Sequence, residues 1–183
     1  VGFNCLRNNT TADHNTAIGY QALNDSTTAN QNTVIGFSAA YYNTTGSHHV
    51  AVGYKALYDN TTGAYNTAIG FECLENNTTA SGNVAVGFRC AQSNTTGETW
   101  TAVGYQALNN NTTGSASVAV GESALFSNTT GSENIAIGKN ALENNTTADN
   151  NIAIGGHCMG ANTEGSGNTA VGRGTLDVNT TGN

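Results

Sequence analysis

This chain has no proline, one methionine, one tryptophan and only five basic residues. Those five, Arg7, Lys55, Arg89, Lys139 and Arg173, are scattered along 183 residues against twelve acidic ones, for a net charge of −7. Binding a phosphate backbone needs clustered Lys and Arg to displace counterions, so a nucleic-acid partner is excluded. Charged residues make up 9% of the chain, against about a quarter in ordinary globular proteins. No apolar run approaches the roughly 18 residues of a membrane-spanning segment. There is no CxxC pair or Cys/His cluster with metal-ligand spacing. Carboxylates are spread out, Glu72 and Glu75 being the closest pair on one turn, and no two groups converge as acid–base catalysis requires. The sequence therefore points to a chain without enzymatic activity, cofactor or metal. An extended helix is also excluded, since no apolar stripe of period 3.6 runs beyond a few residues.

What the chain has is a repeat. Gly2, Gly19, Gly36, Gly53, Gly70, Gly87, Gly104, Gly121, Gly138, Gly155 and Gly172 follow one another at intervals of 17 residues, without insertion. Self-similarity of this kind outranks the usual expectation of one or two globular domains, because each unit packs on its neighbours. Taking the marker glycine as slot 1, slot 2 is aromatic from Phe3 to Tyr105 and then becomes Glu122, Lys139, Gly156 and Arg173. Slot 4 is small or cysteine, and slot 5 is mostly Leu. Slots 8 to 10 spell Asn-Thr-Thr in nine copies, and slot 11 is Gly or Ala. Slots 15 to 17 run Thr/Val/Ile, Ala and Ile/Val, with Val34 the one exception to Ala.

The last three slots alternate and are rich in β-branched residues, which predicts a strand; the Asn-Thr-Thr-Gly/Ala clusters predict turns. Seventeen residues suit a coil of two short strands and two turns. Coils in register rise by about 4.8 Å each, giving a rod of about 50 Å for nearly eleven coils. The expected fold is all-β, a parallel β-solenoid or β-roll, forming a single repeat array over residues 1–183. The array reads as a piece of a longer chain without caps. Ile/Val and Leu ladders are expected inside, with Asn and Thr ladders at the corners.

Slots 16 and 1 place Ala and Gly on one strand face, opposite slots 15 and 17. Two arrangements follow. Either the bare strip faces out, where the backbone of another subunit approaches closely, or Ala and Gly face a tight interior and Ile/Val face out, needing cover. Both point to a homo-oligomer.

The segments Ser115-Ala116-Ser117-Val118-Ala119-Val120-Gly121, Gly82-Asn83-Val84-Ala85-Val86-Gly87 and Asn150-Asn151-Ile152-Ala153-Ile154-Gly155 resemble the Asn-Ser-Val-Ala-Ile-Gly repeats of trimeric autotransporter adhesin heads of the YadA type. Gly-Tyr-Gln-Ala-Leu, at Gly19 to Leu23 and Gly104 to Leu108, resembles repeats of phage and bacterial fibre proteins. The unit is longer than typical head repeats, and His14, Gln31, Tyr65 and Gly82 stand where those repeats carry their leading Asn. The resemblance implies a left-handed β-roll, three chains around one axis, and a place in an extracellular, cell-surface or virion fibre. Its partners would be a host receptor, matrix or glycan. An end-to-end filament is the alternative assembly.

Four further features bear on chemistry. Asn9, Asn43, Asn60, Asn77, Asn94, Asn111, Asn128, Asn145 and Asn179 each begin an Asn-x-Ser/Thr sequon, as does Asn24 in the second repeat, and no proline blocks any of them. They are candidate N-glycosylation sites of a self-assembling filament, or an Asn ladder satisfying turn backbone. Cys5, Cys73, Cys90 and Cys158 share slot 4, where Ala stands elsewhere, which suits small buried residues. Cys73 and Cys90 fall in adjacent coils, within reach of a disulfide. Stacked Thr columns also allow an ice-binding reading, although consecutive Thr78 and Thr79 cannot face one side. His14, His48 and His49 read as solvated turn residues.

Overall fold

The computed structural model describes all residues, Val1–Asn183. The chain is a parallel β-solenoid without any helix, and so without one long and apolar enough to cross a membrane. Each coil contributes one three-residue strand, from β1 (Thr16–Ile18) and β2 (Thr33–Ile35) through β4 (Thr67–Ile69) and β5 (Val84–Val86) to β10 (Thr169–Val171). The ten strands form one sheet in sequence order, every pair parallel and offset by one repeat, as Thr67↔Val84, Ala68↔Ala85 and Ile69↔Val86. The second strand expected in each coil is absent. Its residues lie in turns, because slots 3, 5 and 13 take left-handed backbone, as at Glu72 (φ 50), Leu74 (φ 53) and Tyr65 (φ 59).

Left-handed backbone is costly for residues with a β-carbon, and here it is held by hydrogen bonds between coils. Glu72 and Tyr65 donate their N–H groups back to Tyr54 and Ser47, while Leu74 donates forward to Cys90. Of 112 backbone hydrogen bonds, 94 lie outside the strands, so the turns carry most of the stacking.

The apolar interior is narrow and made mainly of slots 4, 5 and 16. Ala68, Cys73 and Leu74 are fully buried, and their equivalents along the rod join one core of 29 residues. Of the two arrangements open for slot 16, the one with Ala inward is found: every strand buries its middle residue and leaves the outer two partly or fully exposed. The expected internal Ile/Val ladder is thus external, because an interior this thin accommodates Ala opposite Leu but not two branched side chains.

The marker glycine is explained by the same stacking. Gly70 has φ +144, and a β-carbon there would collide with the carbonyl of Gly87 in the next coil. The close approach that excludes a side chain is therefore made by the chain's own next coil, not by a second subunit.

Candidate functional site

The polar and aromatic groups of the chain are arranged in columns along the rod. The first is the slot 8 asparagine, which is internal and not at a corner. Asn60, Asn77, Asn94, Asn111, Asn128 and Asn145 are fully buried. Each carboxamide nitrogen donates twice: to the carbonyl three residues on, as Asn77 to Ala80 (3.1 Å), and to the preceding asparagine, as Asn77 to Asn60 Oδ1 (2.8 Å). The chain of amides runs unbroken from Asn43 to Asn179. Asn162, which begins no sequon because Glu164 follows, belongs to it as fully as the others.

Asn9 stands outside this ladder, exposed and bonded to Ala12, because Ser26 interrupts the column. Asn24 is buried and donates to Asn4. A glycan on the slot 8 nitrogen and the buried ladder are alternative fates of the same atom.

A second internal ladder occupies slot 14 and was not legible as such. Asn66 accepts the backbone N–H of Asn83 (3.0 Å) and donates to the Ala80 carbonyl (2.8 Å). His49 and Trp100 replace asparagine in this column, and both are buried. His49 is therefore not a solvated turn residue. Its Nδ1 accepts the Asn66 N–H at 3.1 Å, which leaves the proton of the neutral ring on Nε2. Burial is the main cause holding its pKa down to about 4, partly offset by the backbone of Gly63. Trp100 keeps its ring N–H satisfied by donating to Gly97 (3.1 Å).

The third column is threonine. Slot 9 hydroxyls donate to the next coil's slot 9 carbonyl, as Thr78 to Thr95 (3.1 Å) and Thr95 to Thr112 (3.0 Å). These hydroxyls are committed to the rod, and of the two consecutive turn threonines the one at slot 10 is exposed.

The cysteines lie where slot 4 predicts. Cys73 and Cys90 are buried free thiols, turned to the carbonyls of Ala85 and Ala102, each at 3.2 Å. The neighbouring Cys90 thiol, then burial, push the Cys73 thiol well above its usual range. Cys5 and Cys158 are free as well. Glu72 and Glu75 belong to a surface network: Glu72 accepts from Arg89 (2.8 Å) and Gln92 (3.1 Å), and Glu75 from Gln92 (2.7 Å) and Lys55 (3.4 Å).

The largest continuous surface feature is apolar. Slot 17 residues point outward: Ile18, Ile35, Ile69, Val103, Ile137 and Ile154 are 36–44% exposed, and Val52, Val86 and Val120 are partly exposed. Beside them the slot 2 rings of Phe3, Tyr20, Phe37, Tyr54, Phe71, Phe88 and Tyr105 stack with centroids 4.9–5.5 Å apart and planes within 15°. Ring faces are consumed by neighbouring rings, so edges meet solvent. Slots 15 and 17 contain no charged residue in any coil. Comparison with known protein families, curated proteins and solved structures finds no match.

Proposed function

We propose that this chain is a rod segment of an extracellular structural or adhesive fibre, in which copies pack side by side through the outer face of the sheet. The observation that carries this reading is the uncharged apolar face running the length of the rod. Ten strands about 4.8 Å apart, each presenting slots 15 and 17, with the slot 2 rings beside them as far as Tyr105, make a strip on the order of 600 Å², near the ~800 Å² per partner of a standard interface. An exposed patch of this size and regularity marks an association surface.

The polarity of slot 2 favours parallel association. Copies running the same way bring aromatic stripe against aromatic stripe. Copies running opposite ways would set the Phe3 end against Arg173 and Lys139. A trimer around the apolar strip is the closed form of this arrangement, as the adhesin resemblance implies. The slot 10 threonines, exposed along the rod, then face outward as contact points for a receptor, matrix or glycan.

Sedimentation equilibrium of the purified segment tests the reading. A discrete small oligomer, with three copies the expected number, supports it; an 18.7 kDa monomer at all concentrations, or an open-ended series of masses, opposes it.

A further inference from the structure

Slots 6 and 7 are polar in most coils, as at Asn109-Asn110 and Gln92-Ser93, but Tyr41, Tyr42 and Tyr58 gather there in two neighbouring coils. Their rings form one cluster: Tyr41 to Tyr42 is 4.6 Å edge-on, Tyr42 to Tyr58 is 5.2 Å edge-on, and Tyr41 to Tyr58 is 5.6 Å. The Lys55 ammonium lies 4.8 Å from the Tyr58 ring centre and 3.4 Å from Glu75, so the Tyr58 face is occupied and Glu75 has its counter-charge. Tyr42 has no such cover and is 43% exposed.

The register fixes what flanks Tyr42. The slot 7 column reads Asn8, Asp25, Tyr42, Asp59, Asn76, which places a carboxylate one coil to either side of the ring, about 4.8 Å away along the rod. Asp25 has one oxygen engaged by Asn8 (2.9 Å). Asp59 is half-buried, and no side chain donates to it. Its carboxyl is held above the ordinary range by burial first and by Glu75 second, and Lys55 offsets this only in part. Asp59 and Glu75 thus share the one Lys55 ammonium, and Asp25 stands on the other side of the half-exposed Tyr42 ring.

We propose that Tyr42, between Asp25 and Asp59, is a docking site for a cationic side chain of a basic protein partner, and that arginine fits it best. A guanidinium laid flat on the ring gains the cation–π attraction, and its N–H forks extend in the plane toward both carboxylates. Charge complementarity decides the class: a positive group supplies what Asp59 lacks, whereas a neutral sugar would cover the ring and leave the excess negative charge in place. The site lies on slots 6 and 7, away from the sheet face, and stands whether or not copies associate through that face.

The test is a fluorescence-anisotropy titration of the whole chain with a labelled tetra-arginine peptide, set against a neutral glucose tetrasaccharide as competitor. Asp59→Asn and Tyr42→Ser keep the fold, because Asn76 and Ser93 already occupy that slot. The expected losses of tetra-arginine affinity are about tenfold for Asp59→Asn and about threefold for Tyr42→Ser, with none for Glu133→Gln on a distant coil. Absence of binding, an equal loss in Glu133→Gln, or displacement of the peptide by the tetrasaccharide would each overturn the proposal.

Discussion

At the scale of single residues, His49 and Ser26 occupy slots where most coils place asparagine, and each substitution has a measurable consequence. His49 is buried with its Nδ1 bonded to the Asn66 N–H and its pKa near 4, against 6.5 in the unfolded chain. Above about pH 6.5 the ring is neutral in both states and nothing is lost. Between about pH 6.5 and 4 the unfolded chain takes up a proton that the folded chain does not, so the native state loses up to about 3 kcal/mol as the pH falls. His49→Asn restores the ladder residue; urea titrations of both proteins from pH 7 to 4 are expected to show this component in the wild type alone. Ser26 breaks the slot 8 ladder between Asn9 and Asn43, and its buried hydroxyl has no partner. Ser26→Asn joins the two segments and is expected to stabilise the rod by about 1–2 kcal/mol in the same assay.

Neither residue was readable from the sequence as buried. A histidine beside another histidine in a polar stretch looks like a solvated turn. Only the register shows that slot 13 turns outward at His48 while slot 14 turns inward at His49.

At the scale of the coil, the repeated element is a three-residue strand joined to turns that stack as tightly as the strand does. The interval of 17 and the Ala–Ile/Val alternation were enough to give a parallel solenoid, since a one-residue slip would put every Ile outside the column of its neighbours. The sequence did not reveal which strand face points inward, because Ala and Ile are both acceptable on either side until the thickness of the interior is known. Nor did the asparagine of Asn-Thr-Thr declare itself as core. Polar residues are expected at the surface, and only the pairing of amide with amide at Asn77 and Asn60, together with a backbone carbonyl, makes their burial affordable.

That pairing is testable in the middle of the ladder. Asn94→Ala would leave the Asn77 oxygen and one N–H of the Asn111 amide without a partner, while the Gly97 carbonyl keeps Asn83 and Trp100. The expected loss is about 3 kcal/mol or more, measured by chemical denaturation. Thr96→Ala, one exposed slot 10 residue, serves as the comparison and is expected to change stability by no more than about 0.5 kcal/mol. Gly70→Ala tests the other constraint. With left-handed φ and the Gly87 carbonyl in the way, one methyl group is expected to split the array locally, seen as loss of amide-exchange protection in the coils on either side of Gly70.

At the scale of the whole molecule, each coil depends only on its neighbours, and the columns built from them are as long as the rod. Inside, two amide ladders and an Ala/Leu core fix the register. Outside, the aliphatic column of the sheet and the aromatic stack make a strip without charge, on a chain whose net charge is −7. Function on this account resides in what the strip brings together and in what the other columns then display.

The most direct measurement of that claim uses Ile69→Asp combined with Val103→Asp, two residues at the outer face of the sheet. If they face outward into an interface, the variant keeps its β-sheet circular dichroism and sediments as an 18.7 kDa monomer while the wild type sediments as the oligomer. A variant that still assembles as the wild type does, or one that unfolds, would contradict the account.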